Sequence, residues 1–475
     1  MNTTSRTRKT ARICAISIAA FLASHSTQAA TGTWTGASST AWDTTATNWS
    51  GVSGTPWDST NGVGNFSSFN SAGINSGAAS ITSQVFSSLV TFSDQTGLNS
   101  GAISGTSLVS GFTLTVSGSG QMRPGTVANT GVDIDNSGAI ANTGNTITLT
   151  APGTLAAPTW ETRSGASSNA LYVGMFSSYN TFNVQNGAFL FGNGSGTAAW
   201  HIGGTAAANN NSLVVDGTNS AISRSTSNSV NVGEAGSNNF YVAQNGGTIV
   251  GGRVAVGTNG GANNYQLTTG TNSYFRLNGG TGTFFDVGVI SGSNGNSFRV
   301  GTGGRADVFG TGTTRRTGVG EVVGADSNYV QISGAGAQFN YLHNLPMVIG
   351  GNISNSATTI TTGGNLNRMD VLSGGTLYMD NTGGTLAAPP SNPSFTYAAN
   401  PTLSAALVLT GTNTTFNLGD GNSIATAVIG KNTNFSGVVL GIASQGDTNS
   451  KLKINNGRLT AGTGLGNGNL ISGTG

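Results

Sequence analysis

From about residue 171 the chain repeats one short alternation of polar and apolar positions: an asparagine, an apolar residue two places on, a second two places further, and a glycine soon after. It reads Asn180-Phe182-Val184-Gly187, Asn211-Leu213-Val215-Gly217, Asn238-Phe240-Val242-Gly246, Asn263-Tyr265-Leu267-Gly270, Asn296-Phe298-Val300-Gly303, Asn328-Val330-Ile332-Gly334 and Asn367-Met369-Val371-Gly374. Two later units, Leu407-Leu409-Gly411 and Leu452-Ile454-Gly457, keep the alternation without the asparagine. An apolar residue followed by glycine precedes most units, at Val173-Gly174, Ile202-Gly203, Val232-Gly233, Val256-Gly257, Val287-Gly288, Val323-Gly324, Ile349-Gly350 and Ile429-Gly430. A period of two turns both apolar residues to one face of a strand. Further strand signals follow the glycine, as at Tyr274-Phe275-Arg276-Leu277.

The asparagines stand 31, 27, 25, 33, 32 and 39 residues apart. Three short strands in about 30 residues make one coil of a solenoid, each coil pairing in parallel with the next. The expected fold is therefore all-β, a right-handed parallel β-helix with coils of about 30 residues; an antiparallel β-sandwich array is the alternative. Stacked at ~4.8 Å, the asparagines are placed to hydrogen-bond from coil to coil as a ladder. Glycine after each strand suits a tight corner. The corners alternate: Gly217-Thr218-Asn219-Ser220, Gly270-Thr271-Asn272-Ser273 and Gly411-Thr412-Asn413-Thr414 differ from Asn186-Gly187, Gly246-Gly247, Gly303-Gly304 and Gly374-Gly375. A duplicated element of two coils, about 60 residues, is expected.

Residues 31–125 are rich in Trp and Phe, and Trp34, Trp42, Trp49 and Trp57 lie close together. These rings are read as a cap over the first coils, or as a contact for a ligand such as a sugar. Residues 126–170 form a transition into the β-helix repeats of 171–475. Within these, Pro389, Pro390, Pro393 and Pro401 mark a loop over 383–402 that projects from the stack.

Residues 1–30 have the order of a secretory signal peptide. Arg6, Arg8, Lys9 and Arg12 precede an uncharged stretch from Ile13 to Ala23, and Thr27-Gln28-Ala29 supplies small residues for cleavage. The apolar stretch is too short to span a membrane, so the mature chain is expected to carry no transmembrane segment. The expected location is extracellular or at the cell surface, with the periplasm as an alternative. Removing this segment leaves 14 Lys and Arg against 16 Asp and Glu and takes away the single cysteine. That balance argues against nucleic acid as a partner, and stability must come without disulfides. The 76 glycines follow no fixed third position, which excludes collagen, and 7% charged residues is too few for charge-driven disorder.

The export signal, Thr33-Trp34-Thr35-Gly36, Trp42, Asn48-Trp49 and the Phe-rich region after them resemble the start of bacterial surface proteins with autotransporter-associated β-strand repeats. Gly375-Thr376-Leu377, Gly384-Thr385-Leu386 and Asn456-Gly457-Arg458-Leu459 match those repeats in part. The resemblance implies an exported passenger-type β-helix, displayed or shed. No alternating segments of a membrane β-barrel follow, and Thr460 to Gly475 offers no aromatic cover for a last coil. The expectation is a C-terminal end that is incomplete.

Catalytic chemistry has little to draw on. Asp133 and Asp135 are the closest acidic pair and the weak candidates for a metal, but Gly144 stands where a calcium loop needs its bidentate acid. Asp307, Arg315, Arg316 and Glu321 form the densest charged stretch of the repeats, and His201 and His343 are 142 positions apart. The expected function is non-enzymatic, an exported surface or matrix protein with an adhesive or envelope-structural role, meeting surface glycans or other envelope components and needing no cofactor. The alternative is a polysaccharide lyase or hydrolase on the same scaffold.

Overall fold

In the computed structural model, residues 171–193, 199–224, 229–278, 284–310, 317–343, 346–353, 360–380, 407–429 and 449–461 are described continuously; elsewhere strands and short pieces are described between residues 31 and 473. The described elements are all β-strands. They form three long sheets that run the length of the stack. The protein is a parallel β-helix.

Each coil contributes one strand to each sheet. The coil after Leu171–Val173 of the third sheet continues as Thr181–Gln185 of the first sheet and Phe189–Asn193 of the second, and returns at Trp200–Ile202 to pair in parallel with Leu171–Val173. The same order recurs up to Lys451–Ile454 and Gly457–Ala461. Backbone strands Thr31–Trp34, Val63–Phe66, Val90–Phe92 and Thr113–Ser117 extend the first sheet at its N-terminal side. The antiparallel pairs are Trp49–Ser50 with Thr31–Trp34 and two hairpins, the first of which also touches Thr317–Val319. One hairpin, Gly351–Ile353 with Ile360–Thr362, follows a third-sheet strand; the other, Gly383–Thr385 with Thr396–Ala398, follows a second-sheet strand and lies within the Pro-rich segment. The prolines themselves fall outside the described residues.

Most inward positions fill with apolar side chains, which burial removes from water. Phe182 and Val184, Leu213 and Val215, Phe298 and Val300, Val330 and Ile332, and Met369 and Val371 are all buried on the first sheet. Aromatic rings interlock between coils, with Phe298 at 4.7 Å from Phe285, 5.4 Å from Phe275 and 5.3 Å from Phe339.

The asparagine ladder is present, and it occupies the corner between the third and first sheets. Its members are Asn180, Asn211, Asn239, Asn264, Asn296, Asn328 and Asn367, all fully buried. From Asn180 to Asn328, each donates its backbone N–H to Oδ1 of the next, at 2.8–2.9 Å. Asn180, Asn211, Asn239 and Asn264 add a side-chain Nδ2 bond to the same oxygen, at 3.0–3.1 Å. Two residues earlier runs a second ladder of opposite sense, in which the backbone N–H of the later coil donates to a side-chain oxygen of the earlier one. Asn209 donates to Ser178, Ser237 to Asn209, Ala262 to Ser237, Asp326 to Asn294, Asn365 to Asp326 and Thr412 to Asn365. Ala262 has no acceptor to pass on, and the chain of bonds breaks there. Between the two ladders each coil places one residue at positive φ, as at Asn210, Asn238, Asn263, Gly295 and Ser327.

Two asparagines read from the sequence are thereby corrected. Asn238 and Asn263 are the positive-φ residues (57° and 56°), and their neighbours Asn239 and Asn264 are the rungs. Asparagine suits both positions, so a doublet leaves the register open by one residue. The slip reverses the faces of these two strands. Val215 pairs with Ala243, then Thr268, then Val300, while Val242 pairs with Val214 and points outward. Tyr241 and Ala243 are inward in one coil and Gln266 and Thr268 in the next, where Gln266 Nε2 donates to Thr268 Oγ1 at 2.9 Å.

Three further corrections concern placement. Val319-Gly320, rather than Val323-Gly324, is the pair that precedes the Asn328 rung, and its glycine faces Asn367 of the next coil. Leu407–Leu409 is a third-sheet strand pairing with Met347–Ile349, and the first-sheet strand of that coil is Thr415–Leu418. Ile429 ends a second-sheet strand, Ala425–Ile429, rather than leading into a ladder corner. Val323-Gly324 falls in an exposed turn, and in the other two cases an apolar alternation of equal quality occurs on more than one sheet of the same coil.

The apolar–glycine pairs and the ladder are one device. A Cβ on Gly233 would lie 2.0 Å from Cγ of Asn264, and the same collision links Gly174 to Asn211, Gly203 to Asn239, Gly257 to Asn296, Gly288 to Asn328 and Gly320 to Asn367. The glycine of one coil leaves the space that the amide of the next coil fills. Asn264→Ala strands the buried N–H of Asn239, takes one of the two acceptors of its Nδ2, and is expected to cost about 3 kcal/mol; Gly233→Ala, at φ 65°, is expected to cost at least as much. Because alanine at 264 vacates the space that the new methyl needs, the double variant should cost clearly less than the two singles together. Urea unfolding of the four proteins measures this coupling.

Candidate functional site: a polar groove beside the Asp307 cluster

The corner between the first and second sheets alternates in length as well as sequence. Three residues join the strands at 186–188, 245–247 and 373–375; four join them at 217–220, 270–273, 301–304 and 334–337. Gly301 still continues its ladder by donating its N–H to the Thr268 carbonyl, and leaves 302–304 to turn as a short corner. Short and long corners are laced together: the N–H of Gly187 donates to Ser220 Oγ and that of Gly246 to Ser273 Oγ, both at 2.9 Å. Long corners protrude and short ones recede. The result is a groove of about 520 Å³ across four successive coils, with Gly246 and Gly303 in its recesses. Thr218, Asn219 and Asn272 form one wall; Thr248, Tyr274 and Arg305, the first outward residues of consecutive second-sheet strands, form the other.

Arg305 and Tyr274 tie the groove to Asp307. The Arg305 guanidinium donates to both carboxylate oxygens of Asp307, at 3.0 and 2.8 Å, the Tyr274 hydroxyl donates at 2.7 Å, and Asn340 Nδ2 donates as well. Asp307 is fully buried. Burial, reinforced by the Asp307 charge, pushes the Tyr274 phenol well above its ordinary value, so the hydroxyl stays a donor. With two oxygens already accepting four hydrogen bonds, Asp307 serves as the hub of a bracing network.

The residues singled out in the sequence separate on folding. Asp307 lies on the second sheet and Glu321 follows a third-sheet strand, where it is buried; they do not share a face. Arg315, Arg316, Asp135, Trp42 and Trp57 lie outside the described residues. Asp133 pairs in backbone register with Tyr172, and Trp34 with Trp49. Among the described residues no group of three or more His, Cys, Asp or Glu side chains is placed to hold a metal, and no helix is long and apolar enough to cross a membrane.

Sequence reading missed the partners that stacking supplies. His201 Nδ1 lies 2.8 Å from Glu234 Oε2, Asn231 Nδ2 donates to Oε1 at 2.9 Å, and the Tyr172 ring stacks on the imidazole at 5.0 Å. Burial raises the Glu234 carboxyl, but the hydrogen bond and charge of His201, with Asn231, outweigh it and leave the group below its ordinary value. On the first sheet, Phe240 stacks on Tyr265 at 5.2 Å. The next residue in that column is Ser297. Arg299 lays its guanidinium into the gap, 4.9 Å from the Tyr265 ring and 5.1 Å from Tyr329, and Arg368 covers the far side of Tyr329 at 3.9 Å. Rings and guanidinium planes thus form one outer column. The available signal was coil spacing: Tyr274, Asp307 and Asn340 are each 33 residues apart.

His343 is fully buried and stacks on Tyr341 at 5.7 Å. Burial lowers its pKa from 6.5 to about 4. The unfolded chain therefore takes up a proton near pH 6.5 that the folded chain refuses until about pH 4, and stability falls as pH drops through that window. The loss approaches about 3 kcal/mol. Urea midpoints measured from pH 7.5 to 4 should fall less for His343→Phe than for the parent chain. Compared with family models, with curated proteins and with solved structures, the chain matches none.

Proposed function

We propose that the protein is an exported, non-enzymatic β-helix of passenger type that acts at the cell surface or in the extracellular matrix, adhering to glycans or other envelope components. The observation that carries this reading is the groove: it is lined by hydroxyl, amide, aromatic and guanidinium groups and by no carboxylate. Glycoside hydrolysis needs two carboxyl groups flanking one bond, and the nearby Asp307 is spent on Arg305, Tyr274 and Asn340. A surface that binds without cleaving has what it needs here. The order of basic, apolar and small residues within 1–30 supports export.

The second reading, a polysaccharide-active enzyme, draws on the same groove lying against a buried acid. Fractionation of producing cells and a glycan-degradation screen decide between them. Expected are recovery of the protein outside the cytoplasm with an N-terminus near residue 30, retention on cells or isolated envelope polysaccharide, and no cleavage. Turnover that disappears in Asp307→Asn, in a variant that still folds, overturns the choice.

A further inference from the structure

We infer that the groove along the corner between the first and second sheets is the subsite that holds a neutral, hydroxyl-rich glycan chain, lying along the stack. The inference rests on the proposal above that the protein meets glycans, and it names where and of what charge. Length comes first. The lining runs from Thr218 to Arg305 through four coils, and three steps of ~4.8 Å give about 14 Å, room for a short run of sugar rings. The volume of about 520 Å³ lies within the usual range for ligand sites.

Chemistry comes second. Asn219 and Asn272 stand exposed at the tips of two long corners, each held at positive φ (67° and 65°), so their amides are presented by fixed backbone. Amides that both donate and accept match sugar hydroxyls, which do the same. Thr248 adds a hydroxyl on the opposite wall, and the part-exposed Arg305 guanidinium, 5.6 Å from the buried Tyr274 ring, completes it.

Charge decides the class. Arg305 is the cation lining the groove, and Asp307 engages two of its five N–H donors, at 3.0 and 2.8 Å, and offsets its charge. Just outside, Asp216 accepts from Asn245 at 2.8 Å and adds negative charge. A uronate or phosphate would meet a guanidinium whose charge Asp307 already balances. A neutral chain loses nothing by that.

The test is calorimetric titration of the purified protein with hexamers of β-1,4-, β-1,3- and α-1,4-linked glucose, and with a hexamer of galacturonate. Two variants accompany it. Asn219→Gly with Asn272→Gly removes both amides while keeping residues that accept positive φ, and Thr248→Trp fills the groove. Expected is binding of at least one neutral hexamer, unchanged by 0.5 M salt, with affinity falling at least about tenfold in each variant that keeps the parent circular dichroism spectrum. If Thr248→Trp does not fold, the glycine pair decides alone. No binding of any neutral hexamer, equal binding by parent and variants, or tighter salt-sensitive binding of galacturonate overturns the inference. Adhesion to cells without neutral-hexamer binding would sink the groove and spare the surface role. Hexamer binding in the groove by a protein that stays in the cytoplasm would do the reverse.

Discussion

The structure depends on one contact repeated at every ladder coil: the backbone N–H of a buried asparagine given to the side-chain oxygen of the asparagine in the next coil. A corner between sheets cannot continue a sheet's hydrogen bonds, yet its N–H groups are buried and need acceptors. The inner ladder meets that need from the following coil and the outer ladder from the preceding one. From Asn211 to Asn264 the corner is thus bonded in both directions. Glycine in the preceding corner is the geometric condition for it, since any side chain would occupy the place of the amide.

The ladder tolerates insertion within its own corner. Coil length, read along the ladder, runs from 25 residues between Asn239 and Asn264 to 39 between Asn328 and Asn367, and in the longer coil an antiparallel hairpin is inserted between third-sheet strand Met347–Ile349 and the Asn367 rung. Between residues 186 and 375 the corner between the first and second sheets alternates between a short and a long form, and at Gly187–Ser220 and Gly246–Ser273 the short corner gives an N–H to the serine of the long one in the next coil. Relief on the surface follows from this alternation. The groove is a consequence of two corner lengths stacked in turn on a core that does not change.

Polar and aromatic side chains outside the core obey the same rule of near neighbours one coil apart. Arg299 fills the place that Ser297 leaves between two tyrosines, and Asp370 is bracketed by Arg368 in its own strand and Asn417 in the next coil. Such contacts add lateral cohesion to the stack. They also engage the charged groups: beside the groove both oxygens of Asp307 accept hydrogen bonds from Arg305, Tyr274 and Asn340.

The sequence by itself determined the class of fold, because glycine, asparagine and paired apolar residues recurring in order have few physical readings other than stacked coils. It also determined that asparagine forms the ladder and that the corners at 217–220 and 270–273 are of one kind. Gly411-Thr412-Asn413-Thr414, read as a third such corner, lies instead between a third-sheet and a first-sheet strand. Which asparagine of a doublet becomes the rung was decided only in three dimensions: Asn238 and Asn239 are equal in composition, and coils of unequal length give spacing no power to choose between them. Tertiary structure likewise decided that Gln266 and Thr268 turn inward while Tyr265 and Leu267 turn out. The groove was not legible, because Thr218, Thr248, Tyr274 and Arg305 belong to four different coils and become neighbours only when the register between coils is set. Local pattern specifies the strand; register specifies the surface.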